Sequence, residues 1–293
     1  MLDLAPRTDE LLAAYRRDGF VVLRDAFPQD HVEELRREAV RICRGELGEV
    51  GGMKPGTPDE SDDDVMARTL CIHFPHKISP VMLAAMKDAA VVEPLTRLIS
   101  PNVKAMQSML FIKSAGQPGQ AWHQDEYFIP TRDRSLCGAW IALDDATVDN
   151  GCLWVIPGSH TGVIYPQRDH GDYDRFDCTG EAFQFPYSDS DAVPVEVATG
   201  SVVIFNGYLL HRSEPNRRRG GFRRALVNHY MSAESLLPWY PVDQSAFAIQ
   251  DVRDVVLVAG TDPYAWKGTV NHQTPHVRPV GEGGCGRPSD KEA

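Results

Sequence analysis

From residue 102 onward the chain breaks into short apolar or alternating runs: VKAMQSMLFIK, LCGAWIAL, GCLWVIP, VPVEVA, SVVIF and RRALVNHYM. No other feature restricts the possible folds as much. The runs are separated by AGQPGQ, DDATVDNG, PGSHTG, ATG and PNRRRGG, where Gly, Pro, Asn and Asp favour tight turns. Many short strands between such turns specify an all-β sandwich or barrel, jelly rolls included. No internal repeat is visible. The expected organisation is a single domain over 1–293: a mostly helical part over 1–100, a β core over 101–235, and a polar C-terminal extension over 236–293 with a poorly ordered end.

The first hundred residues carry helix signals. Thr8 or Asp9 can cap DELLAAYRR, which Gly19 ends, and FVVLRDAF then reads as a strand. After Asp30, Val32, Leu35, Ala39, Ile42 and Cys43 recur at helical spacing. Ser79-Pro80 has cap and first-turn character, and Asp88 starts another helix. The Gly-, Pro- and acid-rich stretch 48–64, with Asp62-Asp63-Asp64, reads as a solvated loop.

Charge and cysteine usage narrow the function classes. With 30 basic and 41 acidic residues the net charge is −11, a field that repels a phosphate backbone and argues against nucleic-acid binding. No apolar run approaches the roughly 20 residues that span a bilayer, and the N-terminus lacks the pattern of a signal peptide, so no membrane association and a cytoplasmic location are expected. The six cysteines form no C-x-x-C pair and read as reduced thiols. Oligomeric state is not legible.

The stretch AWHQDEYFIP places His123 and Asp125 two apart, where both point to one side of a strand and Gln124 to the other. The pattern alone proves little. Acids fill 41 of 293 positions, so each of the 10 histidines meets one at i+2 about one time in seven, and the chain has three such pairs. His31 and Glu33 lie on the expected helix, where i and i+2 do not share a face, and His170 with Asp172 sits in a polar loop. His123 and Asp125 have an aromatic setting in Trp122, Tyr127 and Phe128. A third donor is expected from a distant strand, and His211 after SVVIFNGYLL fits best. Two histidines and a carboxylate on one face of iron leave positions open for a co-substrate and oxygen. Twelve residues after His211 stands Arg223, an always-charged group suited to the far end of a dicarboxylate. On an alternating strand only one of Arg223 and Arg224 can face inward.

These residues carry a resemblance to the phytanoyl-CoA dioxygenase family. HQD at 123–125, NGCLWVIPGSH at 150–160 and GSVVIFNGYLLHRSEPNRRRGGFRRA at 200–225 match its motifs in order, and the likeness spans about 15 to 235. It implies a double-stranded β-helix, a jelly-roll or cupin-like barrel with flanking α-helices, using Fe(II), 2-oxoglutarate and O2. Carried over by position, His123, Asp125 and His211 would hold iron. Arg223 would pair with the distal carboxylate of 2-oxoglutarate with help from Ser213, Met109 and Trp140 would line that pocket, and Arg68 stands as the upstream basic contact. The loop from His211 to Arg223 is a residue longer than the family spacing, which keeps Arg224 in play. The implied reaction is oxidative decarboxylation to succinate and CO2, coupled to hydroxylation or another oxidation of a small molecule. Retention of Asp125 speaks against halogenation, for which relatives carry a small residue there.

The remaining motifs have plainer readings. His160 and His229 suit turn and core positions, His272 and His276 an i, i+4 pair in a Pro-rich tail. The six arginines of 212–224 are mostly solvated, with a CoA phosphate as an alternative ligand. Rival functions are a cupin-like metal-binding protein without oxygen chemistry and a zinc hydrolase; only the oxygenase needs a buried cation opposite the metal. The substrate class expected is a polar, secondary-metabolite-like small molecule, with an acyl-CoA as the alternative. The long polar loops 48–64 and 165–192 are the expected lids.

Overall fold

The computed structural model describes residues 5–236, 255–269, 271 and 273–278. Its helices are α1 (Ala5–Asp18), α2 (Gln29–Cys43), α3 (Asp62–Ala67), α4 (Pro80–Met86), α5 (Ala89–Leu98) and α6 (Asp125–Phe128). The strands run β1 (Phe20–Leu23), β2 (Cys71–His73), β3 (Val103–Ser114), β4 (Gln120–His123), β5 (Cys137–Ala142), β6 (Leu153–Val155) and β7 (Gln167–Arg168). They continue as β8 (Glu181–Ala182), β9 (Val193–Val195), β10 (Val202–Asn206), β11 (His211–Ser213), β12 (Phe222–Ser232), β13 (Val256–Ala259) and β14 (His276–Arg278).

A major antiparallel sheet has the order β1-β10-β5-β12-β3-β2-β14, with β13 also on β3; a minor sheet has the order β4-β11-β6-β9. Between β3 and β12 the chain passes repeatedly from one sheet to the other, the winding of a double-stranded β-helix. The sheets meet through one apolar cluster, with Met109, Trp140, Phe205 and Val227 from the major sheet against Leu153, Val155 and Val195 from the minor one. The expected jelly-roll architecture is what forms.

Helices cover the outer face of the major sheet. α2 buries Val32, Leu35, Ala39, Ile42 and Cys43, none more than 2% exposed, each stabilising by about 1.5–3 kcal/mol for the larger side chains. Ser79 and Asp88 cap α4 and α5 as their sequence suggests, accepting from the Met82 and Ala90 amides at 3.0 and 2.8 Å.

Four expectations change. The acidic run Asp62-Asp63-Asp64 is the first turn of α3, capped by Ser61, where negative charge complements the helix dipole. The 48–64 stretch packs beside β14, with the Gly51 amide on the Pro275 carbonyl at 2.8 Å, and none of it lines the central cavity among the described residues. The C-terminal extension supplies β13 and β14 to the major sheet, because the open edges of β3 and β2 leave backbone groups to be satisfied. Cys43, Cys71, Cys137 and Cys152 are buried free thiols, while Cys178 is disulfide-bonded, which a reading of six reduced thiols did not anticipate. No described helix is long and apolar enough to cross a membrane.

Candidate metal centre and co-substrate pocket

His123 ends β4 and His211 begins β11; the two are directly paired across the minor sheet, with ring centroids 4.0 Å apart. The strand stops one residue before expected. Gln124 keeps extended dihedrals, so Asp125 still points to the same side as His123, but Asp125 is the first residue of α6. Gln124 faces away and is fully buried, donating to the Val163 and Tyr208 carbonyls and accepting from the Tyr165 amide, which pins this corner.

Each histidine Nδ1 donates to a backbone carbonyl two residues back, His123 to Ala121 at 2.8 Å and His211 to Leu209 at 2.9 Å. The proton is thereby fixed on Nδ1, and both Nε2 lone pairs face Asp125 Oδ1 at 3.6 Å. His123, Asp125 and His211 offer donor atoms within 4.8 Å of one another, all buried, and form the one such cluster among the described residues. A divalent cation bound by two imidazoles and one carboxylate fits this arrangement.

Electrostatics favour cation binding. Burial pushes the Asp125 carboxyl upward, but the neighbouring His211 and His229 outweigh it and hold it below the ordinary range. Burial, reinforced by His211, depresses His123 to about 3, so its ring is neutral and ready to ligate at neutral pH. His229, which sequence reasoning assigned to the core, has its Nε2 3.0 Å from Asp125 Oδ2, orienting the carboxylate from behind. Only a side-chain contact from β12 to the start of α6, 104 residues apart, brings these residues together, so no local sequence signal could have found it.

The cluster opens into a cavity of about 230 Å³ between the sheets. Arg223 stands at its wall, 3% exposed, with no hydrogen-bond partner for Nε and no carboxylate paired with it among the described residues. Burial lowers its pKa from 12.5 to about 10, and its guanidinium lies 5.5 Å from the Trp140 ring. Arg224 faces the other way, its Nε and Nη2 both donating to the Asp144 carboxylate at 2.8 Å. Of the two, Arg223 is the one in the cavity wall. Ser213, Met109 and Trp140 line the same cavity; Arg68 does not, sitting instead at the C-terminus of α3 with Glu60 at 3.1 Å. Of the three aromatics beside HQD, Phe128 reaches the cavity while Trp122 packs in another cluster and Tyr127 is exposed. His170 and Asp172 bond each other in a turn, the solvated loop expected of them.

Other wall residues come from segments with no motif. Arg278 of β14 pairs with Asp177 at 2.7 Å, a buried bridge joining the C-terminal strand to the 165–192 loop, and Thr179 beside it faces the cavity. His73 stacks on His276, centroids 4.8 Å apart; the proposed partner of His276 in a clip, His272, lies outside the described residues. Gly119 also serves the site, since a Cβ there would fall 1.9 Å from the Ser213 carbonyl.

Known proteins share both sequence and fold. The phytanoyl-CoA dioxygenase family model matches residues 15–225. The chain is 34% identical over 257 residues to "Phytanoyl-CoA dioxygenase 1" of Oryza sativa subsp. japonica, covering 78% of this chain and 90% of the rice protein. It is 29% identical to the peroxisomal phytanoyl-CoA dioxygenase of Rattus norvegicus, over 75% of this chain and 67% of the rat one. Among solved structures, the non-heme monooxygenase ThoJ superposes with a TM-score of 0.64 at 21% identity, covering 86% of this chain and 84% of that one. The epimerase SnoN, solved with Fe3+, alpha ketoglutarate and nogalamycin RO, gives 0.64 at 19% identity over 89% and 98% of the two chains. The chain belongs to the phytanoyl-CoA dioxygenase family and is a non-haem, 2-oxoglutarate-dependent oxygenase.

Proposed function

We propose that the protein oxidises a polar small molecule, most simply by hydroxylation, using iron held by His123, Asp125 and His211 and 2-oxoglutarate anchored by Arg223. The observation that carries this reading is Arg223: a buried cation, with no anion paired to it among the described residues, in the wall of the cavity onto which the His-Asp-His cluster opens. A structural metal site or a zinc hydrolase has no need of it. Bound iron and 2-oxoglutarate supply the oxidant, with release of succinate and CO2. The chain's residues do the rest. His123, Asp125 and His211 present three donors from one side and leave the cavity side open. His229 holds Asp125 Oδ2 so that Oδ1 stays with the histidines. Arg223 and Ser213 bind the distal carboxylate, and Met109, Trp140 and Val227 keep that end dry.

Elsewhere in the lining, His73, Gln107, Thr179 and Arg278 give the wall hydrogen-bonding groups, with Phe128 and Ile129 as its apolar part. That lining suits a polar substrate. The cavity volume of about 230 Å³ is below the roughly 300–1,000 Å³ usual for drug-sized ligands, so a long acyl-CoA could be enclosed only in part. The acyl-CoA reading stays as a second one because of the name and 34% identity of the rice relative.

Anaerobic titration of Fe(II)-loaded protein with 2-oxoglutarate tests the first claim. A visible iron-to-ketoacid charge-transfer band should develop, and its absence sinks the assignment. Asp125→Ala should abolish succinate formation while Asp172→Ala retains it. A screen of polar metabolites and phytanoyl-CoA for stimulated succinate release separates the two substrate classes.

A further inference from the structure

Lys113 of β3 is among the largest fully buried side chains, at 1% exposure, and no function so far described uses it. It stands directly opposite Arg223 in the β3–β12 ladder. Its Nζ donates to the Ser213 hydroxyl at 3.0 Å and to the Glu214 carbonyl at 2.7 Å, both uncharged acceptors. Gly151, whose φ is +82°, closes the space beyond: a Cβ there would lie 3.2 Å from Nζ and 2.1 Å from the Glu214 carbonyl. Two basic groups are therefore buried side by side, Arg223 in the cavity wall and Lys113 one layer behind it, with Ser213 in contact with Lys113 and itself facing the cavity.

The hydrogen bonds at Ser213 have a direction. A hydroxyl has two acceptor positions and one donor. Lys113 Nζ fills one acceptor position, and the Gln120 amide, 3.3 Å away, fills the other. The remaining O–H can only donate, and the cavity lies beside it. As an ammonium, which cannot accept, Lys113 leaves Ser213 as a donor toward the cavity, which a carboxylate requires.

Resting on the co-substrate reading of Arg223, we propose that Lys113 is a positioning residue of the carboxylate pocket: it holds Ser213 as a donor, and it takes up one proton from solvent as the 2-oxoglutarate dianion enters beside Arg223. The groups facing Lys113 explain the proton. Arg223 on β12 opposes charge on it, while Asp177 from the 165–192 loop, Glu214 after β11 and Cys152 before β6 favour charge only weakly. Burial, with Arg223 next, holds its pKa well below 10.5, so charge on the amine is disfavoured before binding. A carboxylate arriving within this low-dielectric corner reverses that balance, and the ammonium forms on Nζ. The proton comes from buffer, and no bond other than N–H is made.

The measurement is calorimetric titration of Mn(II)-loaded protein with 2-oxoglutarate at pH 8 in buffers of different ionisation enthalpy, which counts protons taken up. Wild type should take up protons as 2-oxoglutarate binds. Lys113→Arg, permanently charged, should keep affinity within a few-fold but take up none. Lys113→Met should take up none and bind about tenfold or more weakly, the loss of one charge-assisted contact chain. Equal uptake in wild type and Lys113→Arg, no uptake in wild type, or unchanged affinity in Lys113→Met overturns the proposal. Failure of wild type to bind 2-oxoglutarate overturns the reading of Arg223 together with it. The wild-type buffer series decides the proton step even if a variant does not fold.

Discussion

Replacing Arg223 by Met should raise stability and weaken co-substrate binding at once. The lowering of its pKa from 12.5 to about 10 corresponds, at about 1.4 kcal/mol per pH unit, to roughly 3 kcal/mol of penalty on the charged group in the empty pocket. The guanidinium is 3% exposed, so solvent does little to relieve it. Against that stands the lost contact with the Trp140 ring, worth about 1–2 kcal/mol when desolvated. Arg223→Met should therefore gain about 1–2 kcal/mol without ligand, a rise of a few degrees in Tm for a chain of this size. Binding should lose about 3 kcal/mol, roughly 150-fold in Kd, because a buried carboxylate is left without its cation. Thermal unfolding of the Mn(II)-loaded protein with and without 2-oxoglutarate reads both signs. At a ligand concentration near 100 times Kd, wild type should gain about 2.7 kcal/mol and the variant almost nothing. A variant that melts lower than wild type without ligand, yet shows the full ligand shift, would refute the reasoning.

Three further outcomes follow from the geometry. Asp177→Asn leaves Arg278 buried without its anion and should cost about 3 kcal/mol in urea unfolding, whereas Asp177→Leu with Arg278→Met should recover most of it; additive losses would show that the pair does not act as one. Gly119→Ala should push back the Ser213 carbonyl and lower 2-oxoglutarate affinity together with stability; a neutral result in calorimetry contradicts the close approach. His73 is depressed from 6.5 to about 3, chiefly by burial, so the unfolded chain binds its proton more readily than the native one. Stability should therefore fall as pH drops from 6.5 toward 3, by up to about 1.4 kcal/mol per unit, and His73→Gln should flatten that slope in pH-dependent melts. An unchanged slope rules out His73 as a source.

Which parts of this were legible follows from the range of the interactions involved. The strand-and-turn texture after residue 102 encodes the two sheets because pairing and turn chemistry are local, and the alternation rule correctly left one arginine inward. The HQD segment was readable in direction, though not in secondary structure: Asp125 belongs to a helical turn, and the extended Gln124 preserves the geometry. His229 and Lys113 were not readable, since their meaning comes from cross-strand partners about a hundred residues away. The acidic run at 62–64 misled because a helix's first turn and a solvated loop favour the same residues. The C-terminal residues were harder still. Nothing in HVR says strand until the edge of β2 is there to receive it.

That last pairing has a consequence for synthesis. His276 meets His73 across 276 − 73 = 203 positions, so β2 emerges from the ribosome long before its outer partner exists. At about 5–20 residues per second the edge waits some 10–40 s, exposed to any other strand that can pair with it. Of the residues that line the cavity, Arg278 is thus the last to be made. A fusion junction, tag or recombination crossover placed between 236 and 275 would separate Arg278 from the rest of the cavity lining, although it falls outside the stretch by which the family is recognised.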